Sequence, residues 1–252
     1  MVIKIGDINI WISRYYSGDM TAYIFTIIIL VVLGIIVQHK LKDSSFNKIL
    51  VFSSFCWFII EFILQDTGTR TWYTPPTIFN IPIYFPLTAI LQGPVEGGIP
   101  TSLGYLCAKF GYKKQYYWFI FCLGLSIFFS FVFIFGIGFS SFSQMTVNHR
   151  VLNIWSIAFI ISTTTIALLI SLKLFKNRKF SFIVFFFTAF MGIMINLIMY
   201  FSGLRNIEYA IPFDLGTTST TFFSYPLGIA LLALLYDGIF EFGGIYLFIY
   251  II

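Results

Sequence analysis

Four carboxylic acids interrupt the apolar runs of this chain: Glu61, Glu96, Asp237 and Glu241. An ionisable group at membrane depth is costly to bury, so its default interpretation is functional. Asp237 and Glu241 are four residues apart and share one face of a helix. No Lys or Arg stands in the centre of any apolar run. The acids are therefore expected to lack a cationic partner, and some to hold protons at neutral pH. A protonated carboxyl in a dry pocket is a competent general acid, and an ionised neighbour can act as base or ion ligand. If the helices converge, these groups titrate as a coupled set. Glu96 is the strongest candidate. Gly93, Pro94, Gly97 and Gly98 around it free local backbone groups, which at depth is tolerated only beside protein or a cavity. Glu61, near the outer end of its run, could equally reach water. Asp237 and Glu241 could bond to neighbouring helices, or Glu241 could face an inner vestibule.

Aromatic residues make up 21% of the chain, with runs such as IFFSFVFIF at 127–135 and FIVFFF at 182–187. Aromatic faces stabilise cations. Acids within aromatic walls suit carbocation chemistry on an apolar alkene: protonate, hold the cation, then lose a proton or add water. Most of these rings read more simply as lipid-facing bulk. Trp72, Tyr73 and Tyr84 adjoin the expected pocket and are the candidate substrate-binding rings. Arg70 and Arg205 fall in loops, where they could bind a lipid phosphate or a carboxylate. A surface ion pair with Asp66, Glu208 or Asp214 is the simpler expectation, and it would contribute little stability.

The elements that must position these groups are membrane helices. The chain has 252 residues, 59% hydrophobic and 10% charged, where a soluble domain has roughly 25% charge. Apolar segments lie at 20–38, 49–65, 80–108, 116–138, 151–173, 180–203 and 226–250, each near the roughly 20 residues a span needs. They are continuously apolar, which argues for helices over the alternation of a barrel. The expected fold is an all-α bundle of seven transmembrane helices over 20–252. It is preceded by an interfacial segment at 1–19, where Trp11, Tyr15 and Tyr16 sit in an apolar–polar alternation. Loops after the first, third and fifth segments carry Lys40, Lys42, Lys48, Lys109, Lys113, Lys114, Lys173, Lys176, Arg178 and Lys179, and the other loops one base each. By the positive-inside rule the N-terminus is outside and the C-terminus inside. The first apolar run is long enough to span, so no cleavable leader is expected. The expected location is the plasma membrane of a prokaryote.

Two stretches echo each other. GTRTWYTPPTIFNIPIYFP joins the second and third segments, and GLRNIEYAIPFDLGTTSTTFFSYP the sixth and seventh. Both run Gly, Arg, Tyr, Ile-Pro, and both lead to an acid near a glycine pair, VEGG at 95–98 and FEFGG at 240–244. A 3+1+3 repeat would produce this, with both halves in the same orientation.

Other functions are disfavoured. The net charge of +5 is spread over short loops, which gives no nucleic-acid signal. Cys56, Cys107 and Cys122 lie in apolar runs and form no disulfide framework. There is no CxxC or HxxxH, so no metal and no cofactor is expected. No Lys stands in the last span to carry retinal.

Glu61, Gly68, Trp72-Tyr73-Thr74 and Ile81-Pro82 together resemble the Glu–Gly–Tyr-x-Tyr-Thr–Val-Pro pattern of carotenoid hydratases of the bacterioruberin type. Pro94 and Glu96 are similar to the Pro and Glu of membrane lycopene cyclases, although Gly97 stands where those enzymes have a second acid. Glu61 and Asp237 look like the early Glu and late Asp of the fungal integral-membrane terpene cyclases. The resemblance covers about 40 residues around the first site and a few near the C-terminus. It implies acid-initiated cyclisation or hydration of an isoprenoid or carotenoid-like lipid, with Glu96 and Asp237 meeting in one pocket. The partners would then be an apolar lipid substrate and bulk membrane lipid, with no nucleic acid. The competing expectations are a proton- or cation-coupled transporter or channel, which broken spans with acids also suit, and a non-catalytic membrane subunit.

Overall fold

The computed structural model describes residues 10–16, 20–72, 75–135, 146–152, 157–158, 160–162, 164–166, 168–169, 178–203, 205–211 and 221–243. The chain is mostly helical. Among the described residues, three helices are long and apolar enough to cross a membrane: Thr21–Leu41, Ser45–Asp66 and Lys179–Phe201.

Strand β1 (Ile10–Tyr16) leads into helices α1 (Thr21–Leu41) and α2 (Ser45–Asp66). Strand β2 (Arg70–Trp72) and a small hairpin of β3 (Thr77–Ile78) and β4 (Ile81–Pro82) follow. The next run is built in three pieces: α3 (Leu87–Gln92), a π-helical turn π1 (Gly93–Gly98) and α4 (Ile99–Tyr112). Helix α5 (Tyr116–Phe135) then separates this half from a second series. That series comprises β5 (Thr146–Leu152), helical residues between 157 and 169, α6 (Arg178–Phe201), β6 (Arg205–Ile211), β7 (Thr221–Ser224), α7 (Leu227–Tyr236) and a second π turn, π2 (Asp237–Phe242).

An all-α fold is therefore incomplete. Five strands form one antiparallel sheet in the order β2-β5-β1-β6-β7. The alternation at the start of the chain, which reads as an interfacial segment, is in residues 10–16 the period-two pattern of a strand. Its partners are far away in the chain, so no local signal announces the sheet. The register is symmetric. Ser13 pairs with His149 at the centre of the β1–β5 ladder, Arg70 pairs with Arg150 on β5, and Arg205 pairs with Arg14 on β1. Each half thus lends its leading strand to the arginine-bearing strand of the other.

The helices bury small and polar residues and turn bulk apolar groups outward. On α1 the inward stripe is Tyr23, Thr26, Leu30, Gly34 and Val37, while Ile28, Val31, Val32, Ile35 and Ile36 are exposed. On α2 the inward stripe is Phe46, Leu50, Ser53, Trp57 and Glu61, spaced by three and four, while Val51, Phe55, Ile59 and Ile63 are exposed. Contiguous apolar surface of this kind is rare on soluble monomers, and lipid would cover it. Glu61 is a member of the buried stripe, so its side chain points into the bundle.

At the opposite end of α2 from Arg70, the α1–α2 turn meets α4. Asn47 Nδ2 donates to Gln38 Oε1 at 2.6 Å, which ties α2 to α1. Asp43 accepts from the Ser45 backbone N–H and from Tyr105 Oη, both at 3.0 Å, and forms an ion pair with Lys109. Burial, the largest single influence on Asp43, pushes its carboxyl up. The Lys109 ammonium, the Ser45 N–H and the Tyr105 hydroxyl together outweigh burial and hold it below the ordinary value.

Candidate functional site: two buried guanidinium clusters

The first cluster forms where α2, β2 and π1 meet. Gly68, at φ +70°, turns the chain out of α2, a conformation that favours glycine. Two residues later β2 delivers Arg70, which is 1% exposed. Arg70 Nη1 lies 2.5 Å from Glu61 Oε1 and donates to Glu96 Oε2 at 3.3 Å. Gln92, one turn before Glu96, donates through Nε2 to Glu96 Oε1 at 3.0 Å. Behind it stands a polarised chain: Thr88 Oγ1 donates to Gln65 Oε1 at 2.6 Å, and Gln65 Nε2 donates to Gln92 Oε1 at 2.7 Å. Every donor in this chain points toward Glu96. The Nε and Nη2 donors of Arg70 are buried and meet no acceptor among the described residues.

The π turn that carries Glu96 lies directly on α2. A Cβ added to Gly93 would stand 2.6 Å from the Ser54 carbonyl oxygen, and one added to Gly97 would stand 2.5 Å from Trp57 Cβ. No other residue permits this approach. Pro94 and Pro100 lack the amide hydrogens a regular helix would use at those places, and π turns are often found at functional sites.

The second cluster repeats the plan where α6, β6 and π2 meet. Gly203, again at φ +70°, ends the turn after α6, and Arg205 follows two residues later, 1% exposed. Arg205 donates through Nη1 to Asn196 Oδ1 and through Nη2 to Asp237 Oδ2, the latter at 2.9 Å. Asn196 Nδ2 donates to Asp237 Oδ2 at 2.7 Å and to the Leu234 carbonyl at 3.2 Å. Arg205, Asn196 and Asp237 thus close a triangle. Glu241, one turn beyond Asp237, is buried. A Cβ on Gly238 would collide with Ile193 of α6, and one on Gly243 would stand 2.6 Å from Phe185.

The described contacts thus divide the expected carboxyls between two clusters. Glu61 and Glu96 share Arg70, while Asp237 is held by Arg205. The expectation that the acids lack a base fails for these three. The bases arrive from loops, because the sheet folds those loops back over the bundle end. For the same reason Arg70 and Arg205 are buried ion-pair partners and not surface groups. Trp72 is half-buried and packs on the main apolar core. Tyr84 is 65% exposed on the turn before α3, and no described contact joins it to either cluster. Tyr73 lies outside the described residues, as do much of the fifth apolar segment and the seventh beyond residue 243. Among the described residues no group of His, Cys, Asp and Glu could hold a metal.

Sequence reasoning passed over Gln65, Thr88, Gln92 and Asn196. A signal for the last was present: Asn196 precedes Arg205 by nine positions, as Glu61 precedes Arg70. Comparison with protein-family models, with curated proteins and with solved structures finds no match.

Proposed function

We propose that the chain is an integral membrane enzyme acting on an isoprenoid or carotenoid-like lipid by acid-initiated cyclisation or hydration, with Glu96 as the acid. In this reading it spans the plasma membrane of a prokaryote seven times, with the N-terminus outside and the C-terminus inside. The observation that carries the proposal is the pair of buried carboxyls on one buried guanidinium. Both carboxyls are buried. Glu61 lies nearer Arg70, at 2.5 Å, than Glu96 does, at 3.3 Å, and this reading assigns the transferable proton to Glu96, the carboxyl on the π turn.

The proton of Glu96 would add to one carbon of a branched alkene. The π electrons form the new C–H bond, and the positive charge moves to the more substituted carbon. In a cyclisation, the π electrons of a second alkene in the same molecule attack that cation and form the ring bond, the charge moves to the far carbon of the second alkene, and loss of a proton from a carbon beside it back to Glu96 completes the reaction. In a hydration, a water oxygen adds to the cation and its surplus proton returns to Glu96. The Nε and Nη2 edge of Arg70 can orient such an oxygen. Gln92 keeps the Glu96 carboxyl in one orientation.

The test is mass spectrometry and absorbance of the organic extract of protein purified in mild detergent from its native membrane, followed by turnover of the enriched lipid. Glu96→Gln is expected to abolish product while the protein stays folded. Full turnover in that variant would sink the assignment. A second reading, a proton- or cation-coupled transporter, is favoured by the polarised chain from Thr88 through Gln65 and Gln92 to Glu96. It predicts pH-dependent flux in liposomes.

A further inference from the structure

We infer that the substrate is a neutral isoprenoid lipid carrying a carbonyl oxygen, and that the free edge of Arg70 is the site that receives this oxygen.

Arg70 meets its acids through a single atom. Nη1 lies 2.5 Å from Glu61 Oε1 and 3.3 Å from Glu96 Oε2. Nε and Nη2 are buried and meet no acceptor among the described residues. Nε–H and one Nη2–H lie parallel on one side of the planar guanidinium and form the side-on fork that arginine uses in recognition. A buried N–H without an acceptor carries the full loss of its hydration, and here two such donors belong to one charged group. Arg205 is arranged differently. Its Nη2 donates to Asp237 Oδ2 at 2.9 Å and its Nη1 to Asn196 Oδ1. The open fork is therefore a feature of the first cluster.

The fork selects its acceptor. Two acids already lie at Nη1, and a third anion beside them would meet like-charge repulsion, so the fitting acceptor is a neutral oxygen. Both N–H groups can share one oxygen that has two lone pairs. A water has them, but it brings two hydrogens that need acceptors of their own in the same buried place. A hydroxyl brings one. A carbonyl oxygen brings none. Strand β2, which carries Arg70, is three residues long and stands at the edge of the sheet, paired only with β5 among the described strands. Entry of a lipid beside Arg70 therefore separates no second strand. With its oxygen on Arg70, the lipid lies beside Glu96, which shares the same guanidinium. The edge is then closed to a water, and of the two reactions proposed above cyclisation is the one that remains. In naming an isoprenoid and a cyclisation the inference rests on the function proposed above, whereas the carbonyl acceptor rests on the fork.

The probe is an isoprenoid methyl ketone, geranylacetone, isotope-labelled at its carbonyl carbon and added to the full-length protein in mild detergent. It is compared with the hydrocarbon in which a methylene replaces the carbonyl, and with the acid in which a carboxylate replaces the acetyl group. Wild type is expected to bind the ketone about ten- to a hundredfold more tightly than the hydrocarbon, the factor that a hydrogen bond to a charged group supplies. The infrared stretch of the labelled carbonyl should fall in frequency on binding. Arg70→Lys keeps the charge and removes the fork, so the preference and the shift should both be lost. If that variant does not fold, the wild-type affinities and the carbonyl frequency decide. Equal affinity for ketone and hydrocarbon, an unshifted carbonyl, tighter binding of the acid, or a full shift in folded Arg70→Lys would overturn the inference. Ketone binding with the expected shift, but full turnover in Glu96→Gln, leaves the carbonyl site standing and removes the enzymatic assignment. Turnover of a hydrocarbon that Glu96→Gln abolishes, with no preference for the ketone in wild type, does the reverse.

Discussion

Arg70→Met is the most informative single perturbation. The guanidinium is 1% exposed, and its partners Glu61 and Glu96 are 0% and 4% exposed. Removing one partner of a buried ion pair typically costs about 3–5 kcal/mol, because the other charge is left in an apolar setting. An exposed pair contributes only about 0–1 kcal/mol. The two placements of Arg70, in a surface loop or beneath the sheet, therefore predict results several-fold apart. The assay is denaturant titration in detergent micelles followed by helix content. By thermal melting the same loss corresponds to roughly 6–20 °C, at about 2–4 °C per kcal/mol for a chain of this size. Glu61→Gln in the Arg70→Met background removes one of the two acids that lose the guanidinium. The double variant should then be less destabilised than the sum of the singles, with a coupling of about 0.5–3 kcal/mol. An Arg70→Met protein within about 1 kcal/mol of wild type, or strict additivity in the cycle, would refute the buried cluster.

Gly93→Ala places a methyl 2.6 Å from the Ser54 carbonyl and should cost about 1–3 kcal/mol in the same titration, whereas Gly124→Ala, with no heavy atom within 4 Å in α5, should be neutral or stabilise by up to about 1 kcal/mol. Gly68→Ala and Gly203→Ala should each lose about 1–2 kcal/mol from the left-handed backbone alone, measured by the same melts. The carboxyl of Asp43 is held below its unfolded value of about 3.9, so its stabilisation is complete above that pH and is lost as pH falls through the lowered folded value. Melting temperature should therefore drop on acidification below about pH 4, and Asp43→Asn should remove part of that slope.

The legible and illegible parts of this protein differ for physical reasons. Glu96 stood out because Pro94, Gly97 and Gly98 around it are poor membrane-helix residues without a purpose, and the purpose is the π turn against α2. Glu61 and Asp237 were visible as charges in apolar runs. Arg70 and Arg205 are visible too, but the sequence alone places them at the surface, since a loop reads as solvent-facing unless something folds it inward. What folds it inward is β5 and β1, whose pairing with β2 and β6 spans most of the chain and leaves no local trace. Gln92 and Asn196 were silent because a neutral amide in an apolar helix carries no alarm. Their importance follows only once the guanidinium beside each is seen.

The exchange of strands between the halves also bears on how the chain is made. Strand β1 is complete at Tyr16, yet both of its sheet neighbours belong to the second half, and the nearer begins at Thr146. At about 5–20 residues per second of synthesis, β1 waits on the order of 7–26 s for a partner. Over the same interval Glu61, Arg70 and then Glu96 are made. The acids of the first cluster are therefore made early but wait for β5 to hold Arg70 over them, whereas β6 finds β1 already made. Ribosome-stalled chains ending before residue 146 should leave Arg70 accessible to a guanidinium-specific reagent that the full-length protein excludes.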